Sequence, residues 1–90
     1  MTPRELLKML CSDFRYELAV ITHATAVYDG ALARGYEKKH DPLVLAAGSL
    51  YYYCKSSGKP LTLRQLTEKI SFSPEEITAV YTDLRRDVLG

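Results

Sequence analysis

Residues 43–54 read LVLAAGSLYYYC, a run without a charge that closes on three consecutive tyrosines and a cysteine. On an α-helix successive side chains stand about 100° apart, so three neighbouring tyrosines sweep about 200° of the circumference. No narrow stripe holds all three. A helix that is apolar all round belongs inside a protein, with partners on several sides. The stretch therefore predicts a central helix, with Ala46, Ala47, Gly48 and Ser49 small enough for another backbone to come close. Tyr51 is expected in the core. Tyr52 and Tyr53 are candidates for a face offered to a partner protein, because tyrosine is favoured at interface centres. At least one of the three hydroxyls should reach the surface.

The ends of this helix are written in the sequence. Asp41-Pro42 supplies a cap and a proline for the first turn, and Gly58 a stop. Similar signals recur along the chain. Thr2-Pro3-Arg4-Glu5 is a capping box with proline at the first helical position. Thr62-Leu63-Arg64-Gln65 repeats the box with glutamine. Ser73-Pro74-Glu75-Glu76 repeats it with proline and two acids in the first turn, where the helix dipole favours them. Gly35 suits the left-handed position that closes a helix before Asp41, and Ser12-Asp13 separates a first short helix from a long second one. These marks predict five helices, at about residues 3–11, 14–34, 42–56, 63–70 and 74–88, an all-α chain in which no strand competes.

Periodicity assigns the faces. In the second helix Phe14, Leu18, Ile21, Tyr28 and Leu32 recur at helical steps, and Val20, Ala24, Val27 and Ala31 widen the stripe. In the fifth, Ile77, Val80, Tyr81, Leu84 and Val88 are expected inside. Glu75, Glu76, Thr78, Thr82, Asp83 and Arg86 are expected outside.

Composition narrows the function classes. The chain has 90 residues, 47% hydrophobic and 26% charged, which predicts one ordered domain over 1–90 rather than disorder. No apolar run is long enough to span a bilayer and MTPRELLKML lacks a signal-peptide core, so a soluble intracellular protein with no membrane partner is expected. Cys11 and Cys54 each sit in an apolar helical pattern and read as buried free thiols. His23 and His40 have no companion at ligand spacing, so neither a metal nor another cofactor is expected. No nucleophile, base and orienting residue fall at convincing spacing, and no glycine-rich phosphate loop is present, so no enzyme is expected.

Charge is uneven. Residues 54–69 carry Lys55, Lys59, Arg64 and Lys69 against Glu68 alone, a net +3, whereas residues 75–90 sum to −2 and the whole chain to +1. If the last two helices form a helix-turn-helix on duplex DNA, Arg64 and Lys69 would meet phosphates beside Ser71 and Ser73 of the turn, with Lys55 and Lys59 just upstream. Arg34, Lys38 and Lys39 precede the central helix and form a second basic candidate, for a phosphate backbone or an acidic partner. Glu75 and Glu76 pull the other way, since carboxylates at the tip of a reading helix repel phosphates. Together with Arg85, Arg86 and the tyrosines they are candidates for a protein-binding face.

The segment DPLVLAAGSLYYYCKSSGKPLTLRQLTEKISFSPEEITAVYTDLRRDV, residues 41–88, resembles the second half of a repeat from the transcription factor IIB family, archaeal members included. In that family a run of small residues precedes Leu-Tyr and, further on, a glycine; here these are Ala46, Ala47, Gly48, Ser49, Leu50, Tyr51 and Gly58. A Pro-Arg-Thr-like approach to the fourth helix is matched by Lys59-Pro60-Leu61-Thr62, and an Ile-Ala-like pair by Leu66-Thr67, followed by Ile70. Ile77 and Tyr81 precede the charged Asp83, Arg85 and Arg86 as in the family's last helix. ATAVYDGALARG, Ala24 to Gly35, is similar to the family's second helix.

The resemblance implies a five-helix cyclin-like repeat that ends in a helix-turn-helix and takes part in transcription without catalysis. It also implies partners: the TATA-binding protein, RNA polymerase and double-stranded DNA. The chain departs from the family in holding one repeat rather than two, with no zinc ribbon. It is then an excised domain, a stand-alone relative, or one half of a homodimer. It also departs at Thr78, Ala79 and Val80, where the family has basic residues before the tyrosine, so major-groove reading by this helix is the weaker implication. The rival expectation is a cyclin-type protein-interaction module that never meets nucleic acid.

Overall fold

Four helices begin on caps made by their own side chains. The computed structural model describes residues 1–89. In it the Thr2 hydroxyl accepts from the Glu5 N–H at 3.1 Å and the Glu5 carboxylate accepts from the Thr2 N–H at 2.9 Å, opening α1 (Pro3–Asp13). That backbone hydrogen bond holds the Glu5 carboxyl below its ordinary pKa. After an intervening α2, the Asp41 carboxylate accepts from the Leu43 N–H at 2.8 Å and opens α3 (Pro42–Ser57). Thr62 and Gln65 form a second capping box at 3.1 and 2.9 Å before α4 (Leu63–Lys69). Ser73 and Glu76 form a third at 3.2 and 3.3 Å before α5 (Pro74–Leu89). Each cap contributes about 1 kcal/mol and sets a boundary locally. The exception is α2 (Leu18–Ala33), whose preceding Glu17 makes no side-chain cap bond.

The stops after α2 and α3 are the expected glycines, Gly35 and Gly58, both at φ 76°. A 3-10 turn at Tyr36–Lys38 joins α2 to α3. No strand occurs among the described residues, so the architecture is all-helical.

The first junction differs from expectation. Helix α1 runs on to Asp13, and α2 begins at Leu18 rather than Phe14. The reason is a Schellman closure without glycine. Arg15 takes φ 59°, its N–H bonds the Ser12 carbonyl at 3.1 Å, and the Tyr16 N–H bonds the Cys11 carbonyl at 2.8 Å. Phe14 consequently leaves the α2 stripe and lies half-buried against Tyr16, ring centroids 6.0 Å apart.

Helix α3 is the axis of the core. Every residue from Val44 to Leu50 is buried, as is Cys54, and α1, α2 and α5 all pack on it. The closest approach is to α5: a Cβ on Gly48 would stand 2.6 Å from Cβ of Val80, so no larger residue fits without movement. Buried Ser49 keeps its hydroxyl satisfied on the Leu45 carbonyl at 2.8 Å.

Helix α2 turns Val20, Ala24, Tyr28 and Ala31 inward, with Ile21, Val27 and Leu32 half-buried beside them. This corrects the expected stripe by a rotation that leaves Leu18 80% exposed. On α5, Ile77, Val80 and Leu84 are buried and Tyr81 half-buried; the expectation for Val88 lies outside the residues whose side chains are described. Cys11 and Cys54 are free and buried, and burial pushes the Cys11 thiol up to about 11 and raises that of Cys54 as well.

Candidate functional site

The three consecutive tyrosines take three different neighbours. Tyr51 meets Tyr81 of α5 edge-on, with centroids 5.2 Å apart, and Lys55 lies over the Tyr51 ring at 5.4 Å. Tyr52 reaches the same Tyr81 at 6.1 Å. Tyr53 turns to α2 and stacks on His23 at 5.3 Å with an interplanar angle of 10°. All three are half-buried rather than split between core and surface. Among the described residues no buried side-chain polar atom lacks a partner, so any tyrosine hydroxyl here without a protein partner faces water.

The basic candidates fall into two groups. Arg34, Lys38 and Lys39 lie ahead of α3, and Lys55 and Lys59 at its other end, so the 16-residue helix separates the groups by roughly 24 Å. In the first group Arg34 is engaged: its side chain donates to the Gly30 carbonyl at 3.1 Å and pairs with Asp87 at 3.5 Å. Lys39 lies 5.7 Å over the Tyr36 ring, and Lys38 is exposed. On α4, Arg64 pairs with Glu68 at 3.3 Å in a solvated contact, and Lys69, which borders Leu43 at the start of α3, stands 3.9 Å from Asp13. Such exposed pairs hold their charges loosely and leave them available to another anion.

The last two helices, α4 and α5, are joined by the turn Ile70–Ser73. Ser71 is exposed, but the Ser73 hydroxyl is committed to the cap of α5. Glu76 is committed with it, folded back on Ser73, so of the two acids at the tip Glu75 alone projects freely. Glu75 borders an open groove of about 490 Å³ along the outer face of α5, with Thr78, Ala79 and Thr82. Arg85 and Arg86 are exposed further along, Arg86 3.9 Å from Asp83.

One polar cluster was not foreseen. His40 and Asp83 meet at 2.8 Å with side chains only 13% and 18% exposed. The Tyr36 hydroxyl donates to the Asp83 carbonyl at 3.2 Å and also to the Asp87 carboxylate. Asp83 is thereby half-buried, where periodicity placed it outside. The cluster straps the α2–α3 connection to α5 and fixes α5 against the core at a second point beyond Gly48. The one available signal was Tyr36 and His40 four residues apart, facing an acid on the last helix; sequence spacing does not reveal such a long-range pairing.

Among the described residues no group of histidine, cysteine or acidic side chains could hold a metal ion, and no helix is long and apolar enough to cross a membrane. Compared with protein-family models, with curated proteins and with solved structures, the chain finds no match.

Proposed function

We propose that the chain is a single cyclin-like repeat similar to those of transcription factor IIB, acting without catalysis in transcription initiation or its regulation. It would serve as a rigid scaffold for duplex DNA and transcription proteins. The observation that carries this reading is the helix-turn-helix of α4 and α5, seated on an apolar central helix through the Gly48–Val80 approach. Lys55, Arg64 and Lys69 are exposed around it and Lys59 is half-exposed.

Charge-driven binding has a measurable signature. Each neutralised phosphate contributes about 0.9 to the fall of log affinity with log salt, so these four cations predict a slope of roughly −3 to −4 for a generic duplex. Fluorescence anisotropy with a labelled duplex, across a salt series, reads it directly. Exposed Glu75 favours the second reading, a cyclin-type protein-interaction module using Tyr51, Tyr52 and Tyr81. Absence of duplex binding at low salt selects that reading over the first.

A further inference from the structure

Two exposed apolar features of this molecule have no partner within it. The first is a groove of about 330 Å³ between α1, the start of α3 and the turn after α4, walled by Met9, Leu43, Ile70 and Phe72, with Met1 at its mouth. Its one charged side chain is Lys69, held by Asp13 only at 3.9 Å. The second is Leu18, 80% exposed at the first position of α2. Beside it stands Glu17, exposed, at the one α-helix start among the described residues with no side-chain cap bond. Four other starts in this chain carry caps, so a bare glutamate followed by a solvent-facing leucine is out of pattern.

The two features are complementary in charge and alike in apolar character. One is an apolar knob with an adjacent carboxylate, and the other is an apolar socket with an adjacent ammonium. We propose that the chain associates with itself head to tail, with Leu18 of one copy seated in the Met9–Leu43–Ile70–Phe72 groove of the next and Glu17 pairing with the next copy's Lys69. Knob and socket are different surfaces, so the contact is heterologous, and a row of copies keeps one free knob at one end and one free socket at the other. A single leucine and one ion pair bury far less than the about 1,000 Å² that a specific stable interface needs. The association is therefore weak and is seen at high protein concentration. It does not depend on whether the molecule binds DNA.

The test is a dilution series of the isotope-labelled chain followed by amide-resolved NMR, from millimolar to low micromolar protein. Concentration-dependent shifts are expected at two places, Glu17–Ala19 and the Met9, Ile70 and Phe72 groove. Leu18→Glu changes only an exposed side chain and should remove both sets. Labelled Leu18→Glu protein mixed with unlabelled wild type should regain the groove shifts and not those of α2. The double exchange Glu17→Lys with Lys69→Glu should bind as the wild type does, while each single exchange weakens association several-fold. Spectra that do not change with concentration overturn the proposal. Association that survives Leu18→Glu, or that leaves the groove unshifted, overturns it equally.

Discussion

Arg15 occupies a conformation that suits glycine. At φ 59° it closes α1 through two backbone bonds, and its side chain is exposed. A left-handed L-residue costs about 1–2 kcal/mol, partly offset because glycine loses more entropy on folding. Arg15→Gly should therefore stabilise the protein by about 0.5–1 kcal/mol, read as a higher midpoint in urea with unchanged slope. An unchanged or lower midpoint would mean that the arginine itself makes a stabilising contact. The same residue explains the largest misreading of boundaries. The sequence marks for the ends of α2 and α3 were glycines, and those stops were legible. The end of α1 has no glycine, and neither Phe14 nor Arg15 announces a turn. Leu18 was misplaced in consequence, because a stripe counted from Phe14 runs through a residue that is not on the helix.

At the scale of elements, the seat of α5 on α3 is set by one missing side chain. Gly48→Ala would gain about 1 kcal/mol of helix propensity and lose more than that to the clash with Val80. Overpacking of this kind costs about 1–3 kcal/mol, so a net loss of up to roughly 2 kcal/mol is expected. Val80→Gly, which removes the Cβ as well as the γ-carbons, should lose stability by itself, yet the double variant should be more stable than the sum of the two losses predicts, by about 1 kcal/mol of coupling. Strict additivity would show that the two helices do not meet there. Much of this layer was legible. LVLAAGSLYYYC predicted the central helix and its small-residue approach, and the capping boxes gave three helix starts at their first residue. The strap of Tyr36, His40, Asp83 and Asp87 was not legible, because it joins residues more than 40 apart through geometry that only the packed helices create.

For the whole molecule, acid groups held neutral by burial make an alkaline limit. Burial pushes Cys11 from 9.0 up to about 11 and Tyr16 from 10.0 up to about 12. Between these values the folded chain keeps protons that the unfolded chain releases, so stability falls as pH rises. The contribution is complete below about pH 9 and declines through the folded pKa values, up to about 12. Chemical unfolding at a series of pH values should show this decline, and Cys11→Ala should flatten it between 9 and 11. A profile equally steep in the variant would assign the decline to other groups. The candidate site was legible residue by residue but not as an arrangement. The cations were all visible in the sequence; that Lys38 and Lys39 lie ahead of α3, Lys55 and Lys59 at its end and Arg64 and Lys69 along α4, and that Arg34 is paired with Asp87, is visible only in the fold.

Amide-resolved NMR titration of the labelled chain with a short generic duplex, at low and then moderate salt, tests the central claim most directly. Salt-sensitive shifts are expected at Lys55, Lys59, Arg64, Lys69 and Ser71, the exposed or half-exposed polar residues at the end of α3 and along α4 and its turn. An unchanged spectrum at low salt would contradict DNA contact and leave the tyrosine face of α3 and α5 as the working surface.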